Sequence, residues 1–165
     1  DVVFLATGQT GICISGNGIP LDAYRVDYAS GAVEEMVLKY KKNEYLIIEG
    51  QGSLLNPGST ATLPLMRGSC PTALVLCHRL GLKVVESETK ILIPPLEQVI
   101  SQNEQLVNCL NSFPTAKVKA VALDTRGYDH TSAIYKISKM EDKLNLPVTD
   151  PVRFSAKKIA NALIY

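Results

Sequence analysis

At 165 residues the chain is long enough to form a domain with a self-sufficient hydrophobic core. It contains 46% hydrophobic and 20% charged residues, and its formal net charge of +1 comes from charges spread along the chain. This pattern argues against nucleic acid or an anionic membrane surface as a partner. No apolar run approaches the roughly 20 residues that span a bilayer, and the first residues lack the basic flank of a signal peptide. We expect a cytoplasmic protein that acts on a small molecule.

The cysteines are scattered, without a Cys-x-x-Cys pair or a histidine at a zinc-like spacing. They are Cys13, Cys70, Cys77 and Cys109. This arrangement favours buried, reduced thiols over a disulfide framework or a structural zinc site.

Short β-branched runs alternate along the chain with segments of helical period. The predicted strands are 2–6, 45–49, 73–77 and 117–123. The predicted helices are 22–41 with a break near Ser30 and Gly31, 60–67, 96–110, 131–144, and a last helix capped by Ser155 with Ile159, Leu163 and Ile164 facing the core. A glycine-rich loop is predicted up to Pro20, and residues 79–95 are predicted to be irregular.

This alternation predicts an α/β fold in which a parallel sheet is covered by helices on both faces. We find no repeat or interdomain linker, so residues 1–165 are expected to form a single α/β domain. The chain opens inside an apolar strand without an initiator methionine, and we expect a segment of the protein upstream of it. A sheet without its upstream strand exposes an unpaired edge, which predicts a homo-oligomer or association with that upstream portion.

Two glycine-rich turns, Ala6–Gly11 and Glu49–Leu54, follow predicted strands. Ligands of open parallel sheets bind beyond the carboxyl ends of the strands. Glycines let the backbone approach a ligand and let successive amide groups point at an anion. The predicted site residues in these turns are Thr7, Gly8, Gln9, Thr10, Gly11, Gly50, Gln51, Gly52 and Ser53. They predict one substrate or anion site.

Two side chains at strand ends are candidates for catalysis. Glu49, where an apolar strand surfaces, suits a magnesium–water contact or a general base. Alternatively, the glycines only make tight turns and Glu49 caps a neighbouring backbone. His78 follows another strand and is either a proton shuttle or a hydrogen-bonded structural residue.

Other polar residues are weaker candidates for a functional role. Asp150 and Arg153 place a carboxylate and a guanidinium toward the site, or else form a structural salt bridge. Asp22 and Asp27 are expected to cap helix starts, Glu34 to be solvated, and His130 to lie in an exposed loop. The chain contains no Gly-x-x-x-x-Gly-Lys-Ser/Thr phosphate loop.

A family resemblance extends over nearly the whole chain. It is carried by Ala6–Gly11, Pro20 with Asp22, Asp27, Gly31-Ala32-Val33-Glu34, Glu49–Leu54, Leu76-Cys77-His78 and Leu146–Arg153. These residues resemble the C-terminal domain of a family first catalogued as a domain of unknown function and later assigned as D-glutamate (D-amino-acid) N-acetyltransferases. The segment 49–57 also looks like that of dethiobiotin-synthetase-type P-loop enzymes. Asn56 and Asp124 depart from the family pattern, where a histidine and an asparagine are expected.

The resemblance implies a P-loop NTPase-like fold, with a smaller Rossmann-like domain and the phosphate loop before Asp1. It also implies acetyl transfer from acetyl-CoA to the amine of an acidic D-amino acid. In that reaction Glu49 or His78 would be the base, amides of 50–53 or 8–11 would bind the oxyanion or phosphate, and Arg153 would anchor substrate carboxylates. The alternatives are a carboxylate ligase or kinase that uses ATP and magnesium, and a ligand-binding domain without turnover.

Overall fold

The computed structural model describes residues 1–85 and 90–164, which form two compact units, Asp1–Cys70 and Pro71–Tyr165. The strands are β1 (Val2–Leu5), β2 (Tyr45–Ile48), β3 (Ala73–Arg79), β4 (Lys117–Asp124) and β5 (Val148–Thr149). The helices are α1 (Gln9–Ser15), α2 (Val26–Lys39), α3 (Thr62–Ser69), α4 (Leu96–Asn108), α5 (His130–Leu144) and α6 (Lys157–Ile164), with a 3-10 turn at Leu21–Ala23. Within the described residues, no helix has the length and apolar character needed to cross a bilayer.

In the first unit, β1 and β2 pair in parallel, with Val2 opposite Tyr45 and Leu5 opposite Ile48. Residues of α2 and of α3 pack with Leu5 in one apolar cluster. The two helices approach closely at Gly68, where a Cβ atom would overlap the Ser30 carbonyl oxygen. This packing holds β1 and β2 in register, so the turns that follow both strands emerge at the same edge of the sheet.

In the second unit, β3, β4 and β5 form a parallel sheet in that order. Its core is a cluster of Val121, Leu123, Ile137 and Val148, contributed by β4, α5 and β5. Parallel strands with apolar residues on a face covered by a helix are the expected arrangement of an α/β fold. The predicted α/β fold class, in which parallel strands are combined with helices, is confirmed. The single domain stays a prediction.

The predicted loop between β1 and Pro20 was partly wrong, because it contains α1. The sequence Gln-Thr-Gly-Ile-Cys-Ile-Ser combines a glycine with β-branched residues, which are weak helix formers. The helix is nevertheless delimited by Gly8 at its N-cap and by Gly16 at its C-cap, in the left-handed conformation with φ of 72°. In a sequence, two glycines that flank so short a segment indicate a loop, although here they cap the two ends of a helix.

Several other expectations need correction. β3 extends through His78 to Arg79, and the two-residue β5 was missed because no periodic pattern exists at that length. Ser155 Oγ accepts a hydrogen bond from Lys157 N at the start of α6, as predicted, but Ile164 is exposed. Cys13, Cys70 and Cys77 are exposed and Cys109 is partly buried, so the prediction of buried thiols was wrong. Residues 86–89 of the region predicted to be irregular lie outside the described residues.

The predicted break near Ser30 and Gly31 is absent, and α2 is continuous. Burial of Ala29, Val33 and Met36 along one face outweighs the helix penalty of one glycine, which is about 1 kcal/mol relative to alanine. Gly31 is exposed, and a Cβ atom there would meet no atom within 4 Å.

We therefore expect Gly31→Ala to raise the free energy of unfolding by about 0.5–1 kcal/mol, since it removes backbone entropy from the unfolded chain without a clash. Urea denaturation of the variant and the wild-type protein measures this change. A midpoint that is unchanged or lower would show that α2 does not behave as a continuous helix at this position.

Candidate functional site

Glu49 joins the two glycine-rich turns of the first unit. Its carboxylate Oε2 accepts hydrogen bonds from Thr7 N at 2.8 Å and from Gly8 N at 3.1 Å. In return, Thr7 Oγ1 donates to the Glu49 carbonyl oxygen at 3.0 Å. Thr7 is fully buried. The turns after β1 and β2 are therefore brought together, as predicted, and the contact that connects them is a reciprocal set of hydrogen bonds.

The glycines of the first turn leave room for this carboxylate. A Cβ atom on Gly11 would lie 2.5 Å from Glu49 Oε2 and 2.9 Å from Ala6 Cβ. A Cβ atom on Gly8 would lie 3.2 Å from Gln51 Oε1. These distances are shorter than ordinary van der Waals contact, so the absence of side chains at both positions lets the second turn lie against the first.

Gly52 and Ser53 shape the second turn. Gly52 has φ of 71°, and a Cβ atom there would overlap Ser59 Oγ. Ser53 Oγ accepts from Leu55 N at 3.2 Å, and the Gln51 carbonyl oxygen accepts from Thr62 Oγ1 at 3.2 Å. The turn is thus ordered by its own contacts and by the start of α3. The Ser53 hydroxyl donates no hydrogen bond to a described residue.

The remaining predicted residues of the turns differ in what they offer a ligand. Gln9 and Thr10 are exposed, and Gln9 Nε2 lies 3.5 Å from Asp22 Oδ2. Gly50 is also exposed, and a Cβ atom there would meet nothing within 4 Å. The amide of Gly8, by contrast, is already bonded to Glu49. An anion at this edge would therefore meet the exposed side chains rather than the Gly8 amide.

The same hydrogen bonds are relevant to the two roles predicted for Glu49, a magnesium–water contact or general base on one hand and a backbone cap on the other. The carboxylate does cap a neighbouring backbone, as the structural alternative proposed. Its second oxygen, Oε1, accepts no hydrogen bond from the residues that the structure describes. That oxygen is the part of the group able to take a proton or to contact a magnesium-bound water. Within residues 1–85 and 90–164, no three His, Cys, Asp or Glu side chains converge on a metal-sized position.

In the second unit, Asp150 is the centre of a buried network. Its side chain is 5% exposed, and Oδ2 accepts from Thr125 N at 2.9 Å and from Thr125 Oγ1 at 2.6 Å. The other oxygen, Oδ1, accepts from Val152 N at 3.1 Å and from Arg153 N at 3.0 Å. Asp150 therefore ties the segment after β5 to the segment after β4 and has no oxygen left over for a substrate.

Arg153 has a different environment from the one expected of a salt bridge. Its guanidinium Nη2 donates to the Tyr128 carbonyl oxygen at 3.0 Å, and the residue is exposed. A guanidinium has five N–H donors, and one contact of this kind orients the group while leaving others for an anion. Its role as an anchor stays a prediction.

His78 lies in β3, opposite Leu123 of β4, and is half-buried. Burial lowers the pKa of His78 below its usual value, because the charged imidazolium is poorly solvated there. The imidazole makes no hydrogen bond to any residue within 1–85 or 90–164. It is thus held mainly in its neutral form at neutral pH, the form that accepts a proton.

Because the pKa of His78 is lower in the folded than in the unfolded protein, the unfolded chain gains protons first as the pH falls. We expect the stability of the wild-type protein to decrease as the pH falls below about 6.5, the usual histidine pKa. His78→Gln should reduce this loss when urea unfolding is measured at pH 7.5 and pH 5.5. His130→Gln, at the exposed start of α5, is the matched control. An equal pH dependence in His78→Gln and wild type would contradict the assignment.

Comparison with known proteins places the chain in a family. A model of the DUF1611 P-loop domain, described as a domain of unknown function (DUF1611_C), matches residues 1–160. The chain belongs to this family. A solved structure of a DUF1611 family protein from Anabaena variabilis ATCC 29413 superimposes with a TM-score of 0.95 at 49% sequence identity, over 99% of this chain and 48% of that one.

Two curated relatives of this DUF1611 domain carry the name D-glutamate N-acetyltransferase. The protein from Tritonibacter scottomollicae is 32% identical over 161 residues, which are 97% of this chain and 48% of the relative. The protein from a Pseudoalteromonas species is 33% identical over 154 residues, 93% of this chain and 46% of the relative. The chain thus spans about half the length of the curated relatives it matches.

The predictions for four further polar residues of this DUF1611 domain are confirmed only in part. Asp22 and Asp27 lie in first turns, but Pro20 and Arg25 occupy the N-cap positions and no side-chain cap forms, so the capping prediction was wrong. Glu34 is exposed, as expected. His130 is exposed, but as the first residue of α5 rather than in a loop.

Sequence reasoning also missed one structural partner. Thr125 is fully buried and supplies two of the four hydrogen bonds to the Asp150 carboxylate. The signal was a hydroxyl side chain directly after a buried strand, at the position that follows the divergent Asp124. Asp124 itself forms an ion pair with Arg126 and accepts from its backbone N at 3.0 Å.

Proposed function

We propose that this DUF1611 domain is part of an enzyme that transfers the acetyl group of acetyl-CoA to the amine of an acidic D-amino acid such as D-glutamate. The observation that carries the proposal is the alignment of nearly the whole chain with two relatives named D-glutamate N-acetyltransferase. Because the chain covers about half of each relative, the activity belongs to the whole protein, and this domain contributes part of the site.

The proposed reaction is a nucleophilic acyl transfer. The nitrogen of the neutral amine attacks the thioester carbonyl carbon, a C–N bond forms, and the C–S bond breaks to release coenzyme A as a thiol. One proton must leave the ammonium group of the substrate before or during the attack, and the tetrahedral intermediate needs donors for its oxyanion. A base, a set of donors and an anchor for carboxylates are therefore the parts to be assigned.

The turns joined by Glu49 support the donor role. Gln9, Thr10 and Ser53 present amide and hydroxyl groups at the edge of the sheet where ligands of such folds bind. These groups suit the phosphate oxygens of acetyl-CoA or the carboxylates of an acidic amino acid. Within the second unit, we propose the neutral imidazole of His78 as a base and Arg153 as an anchor for a carboxylate.

Glu49 is proposed to position the turns rather than to move the proton, since Oε2 is occupied by two backbone amides. We expect Glu49→Gln to keep turnover within about threefold of wild type, because the glutamine amide oxygen still accepts these hydrogen bonds. Glu49→Ala should lose at least about tenfold, as the turns separate. Steady-state rates of coenzyme A release by both variants in the intact protein measure this. Equal losses of turnover in the two variants would instead indicate that Glu49 is the general base.

Binding tests the class of ligand independently of catalysis. Calorimetric titration of the intact protein with acetyl-CoA, and separately with magnesium and ATP, should show saturable binding of acetyl-CoA without nucleotide. Binding of ATP with magnesium alone would favour a carboxylate-activating ligase instead.

A further inference from the structure

The second unit contains a cavity that plays no part in the proposed acetyl transfer. It has a volume of about 330 Å³ and lies between Leu80, which directly follows β3, Leu96 at the start of α4, and Met140 of α5. Cavities that hold small organic ligands begin at about 300 Å³ and are lined mainly by apolar side chains. This space, named here the α5 cavity, is widely open to solvent; its volume lies at the lower end of that range, and its floor is apolar.

The rim of the α5 cavity is cationic. Lys136, Lys139 and Lys143 line it, and their spacing of three and four residues places them on one face of α5. Lys143 Nζ is paired with Glu97 Oε1 at 2.9 Å. Lys136 and Lys139 have no carboxylate within 4.0 Å among the residues that the structure describes. Two ammonium groups at the mouth of an apolar cavity thus lack a counter-ion from the described part of the chain.

The contacts of these two lysines show how they are held at the rim. Lys136 Nζ lies 5.1 Å from the centre of the Tyr128 ring, and Lys139 Nζ lies 5.7 Å from the centre of the Tyr135 ring. Contacts of an ammonium group with an aromatic face are weakly attractive and leave its N–H donors available. Tyr135 also lines the cavity and is 62% exposed, so its ring is accessible to a ligand.

An ordinary solvated helix face is the competing explanation. On such a face lysine stems lie over apolar surface, and charges of both signs alternate as ion pairs. The acidic residues of α5 are Glu141 and Asp142, and neither lines the cavity. Glu141 pairs with Lys158, and Asp142 forms no ion pair with a described residue. Apart from the Glu97 carboxylate that pairs with Lys143, the charged groups of the described residues at the rim are lysines around an apolar floor, which an alternating solvated face does not produce.

We propose that the α5 cavity binds a small organic anion, whose apolar body fills the space over Leu80, Leu96 and Met140 and whose carboxylate or phosphate group meets Lys136 and Lys139. Apolar contact supplies the binding energy, and the two ammonium groups select for negative charge. The exposed ion pair of Lys143 with Glu97 connects α5 to α4 beside the cavity. The proposal does not depend on the acetyltransferase function.

The test uses 8-anilinonaphthalene-1-sulfonate, an aromatic anion of suitable chemistry, and its uncharged analogue N-phenyl-1-naphthylamine. The double variant Lys136→Gln/Lys139→Gln removes the rim charges. Lys41→Gln/Lys42→Gln removes two exposed charges outside the cavity and serves as the charge-matched control. The intact protein labelled with ¹³C-methyl methionine reports the location, because Met140 lines the cavity and Met66 does not.

We expect the anion to bind the wild-type protein saturably and to shift the Met140 methyl resonance while leaving that of Met66 in place. The rim variant should weaken this binding roughly fivefold or more, and the control should not, whereas the uncharged analogue should bind all three proteins alike. Competition with naphthyl phosphate and with naphthoate then identifies the preferred head group. The proposal is overturned if the Met140 resonance does not move, or if the rim and control variants weaken binding equally.

Discussion

Asp150→Ala is expected to lower the free energy of unfolding by about 3–5 kcal/mol, a large share of the stability of a typical domain. The substitution leaves four donors without their acceptor: the N–H and hydroxyl of Thr125 and the backbone N–H groups of Val152 and Arg153. Because Asp150 and Thr125 are buried, water replaces these hydrogen bonds poorly. Urea denaturation at pH 7 measures the loss.

Asp142→Ala is the matched control, since Asp142 is exposed and makes no hydrogen bond to a described residue. It should change the free energy of unfolding by no more than about 0.5 kcal/mol. A loss below about 1 kcal/mol in Asp150→Ala would show that the network does not hold the segments after β4 and β5 together.

The pKa of Asp150 predicts how this difference varies with pH. Burial raises the pKa, but hydrogen bonds from the Thr125 side chain and from the backbone of Arg153, Thr125 and Val152 together lower it below its ordinary value. The carboxylate therefore stabilises the folded protein above the ordinary pKa of about 3.9, and this contribution is lost as the pH falls through the lowered folded-state value. The difference between wild type and Asp150→Ala should shrink in acid.

Gly11→Ala is expected to destabilise the protein by about 2–3 kcal/mol, although alanine is the better helix former. The new Cβ atom would lie 2.5 Å from Glu49 Oε2 and 2.9 Å from Ala6 Cβ. Ala6 is fully buried, so the carboxylate must move and its hydrogen bonds to Thr7 N and Gly8 N are lost. In the intact protein, the proposed acetyl transfer should fall at least about tenfold as the turns lose their geometry.

Gly31→Ala gives the comparison, because it makes the same chemical change in a helix where no atom lies within 4 Å of the new Cβ. The two substitutions should shift the urea midpoint in opposite directions. A Gly11→Ala protein that is as stable as wild type, with unchanged turnover, would show that the close approach of Glu49 to α1 affects neither stability nor activity.

Local sequence patterns predict some elements of this fold, whereas tertiary contacts determine others. The segments 45–49 and 117–123 predicted β2 and β4 to within a residue, because they are rich in the β-branched and other apolar residues that favour strands. Helix α1 was not predicted, because Gly8 and Gly16 at its two ends are residues typical of loops. The convergence of the two glycine-rich turns was predictable from the rule that ligand-binding turns gather at strand ends.

The roles of individual side chains were less predictable. Nothing in the residue type of Glu49 distinguishes a carboxylate that accepts two backbone amides from a general base. Asp150 likewise read as a candidate site residue, whereas both of its oxygens are engaged by Thr125, Val152 and Arg153. Which donors a carboxylate meets depends on residues distant in sequence, and a single sequence does not show that pairing.

The most direct test of the proposed function is product formation by the intact protein supplied with acetyl-CoA and D-glutamate. The proposed function predicts release of coenzyme A thiol and N-acetyl-D-glutamate in equal amounts, measured by mass spectrometry, with no requirement for nucleotide. An absence of both products with every acidic D-amino acid, alongside ATP hydrolysis that depends on magnesium and a carboxylic acid, would contradict it.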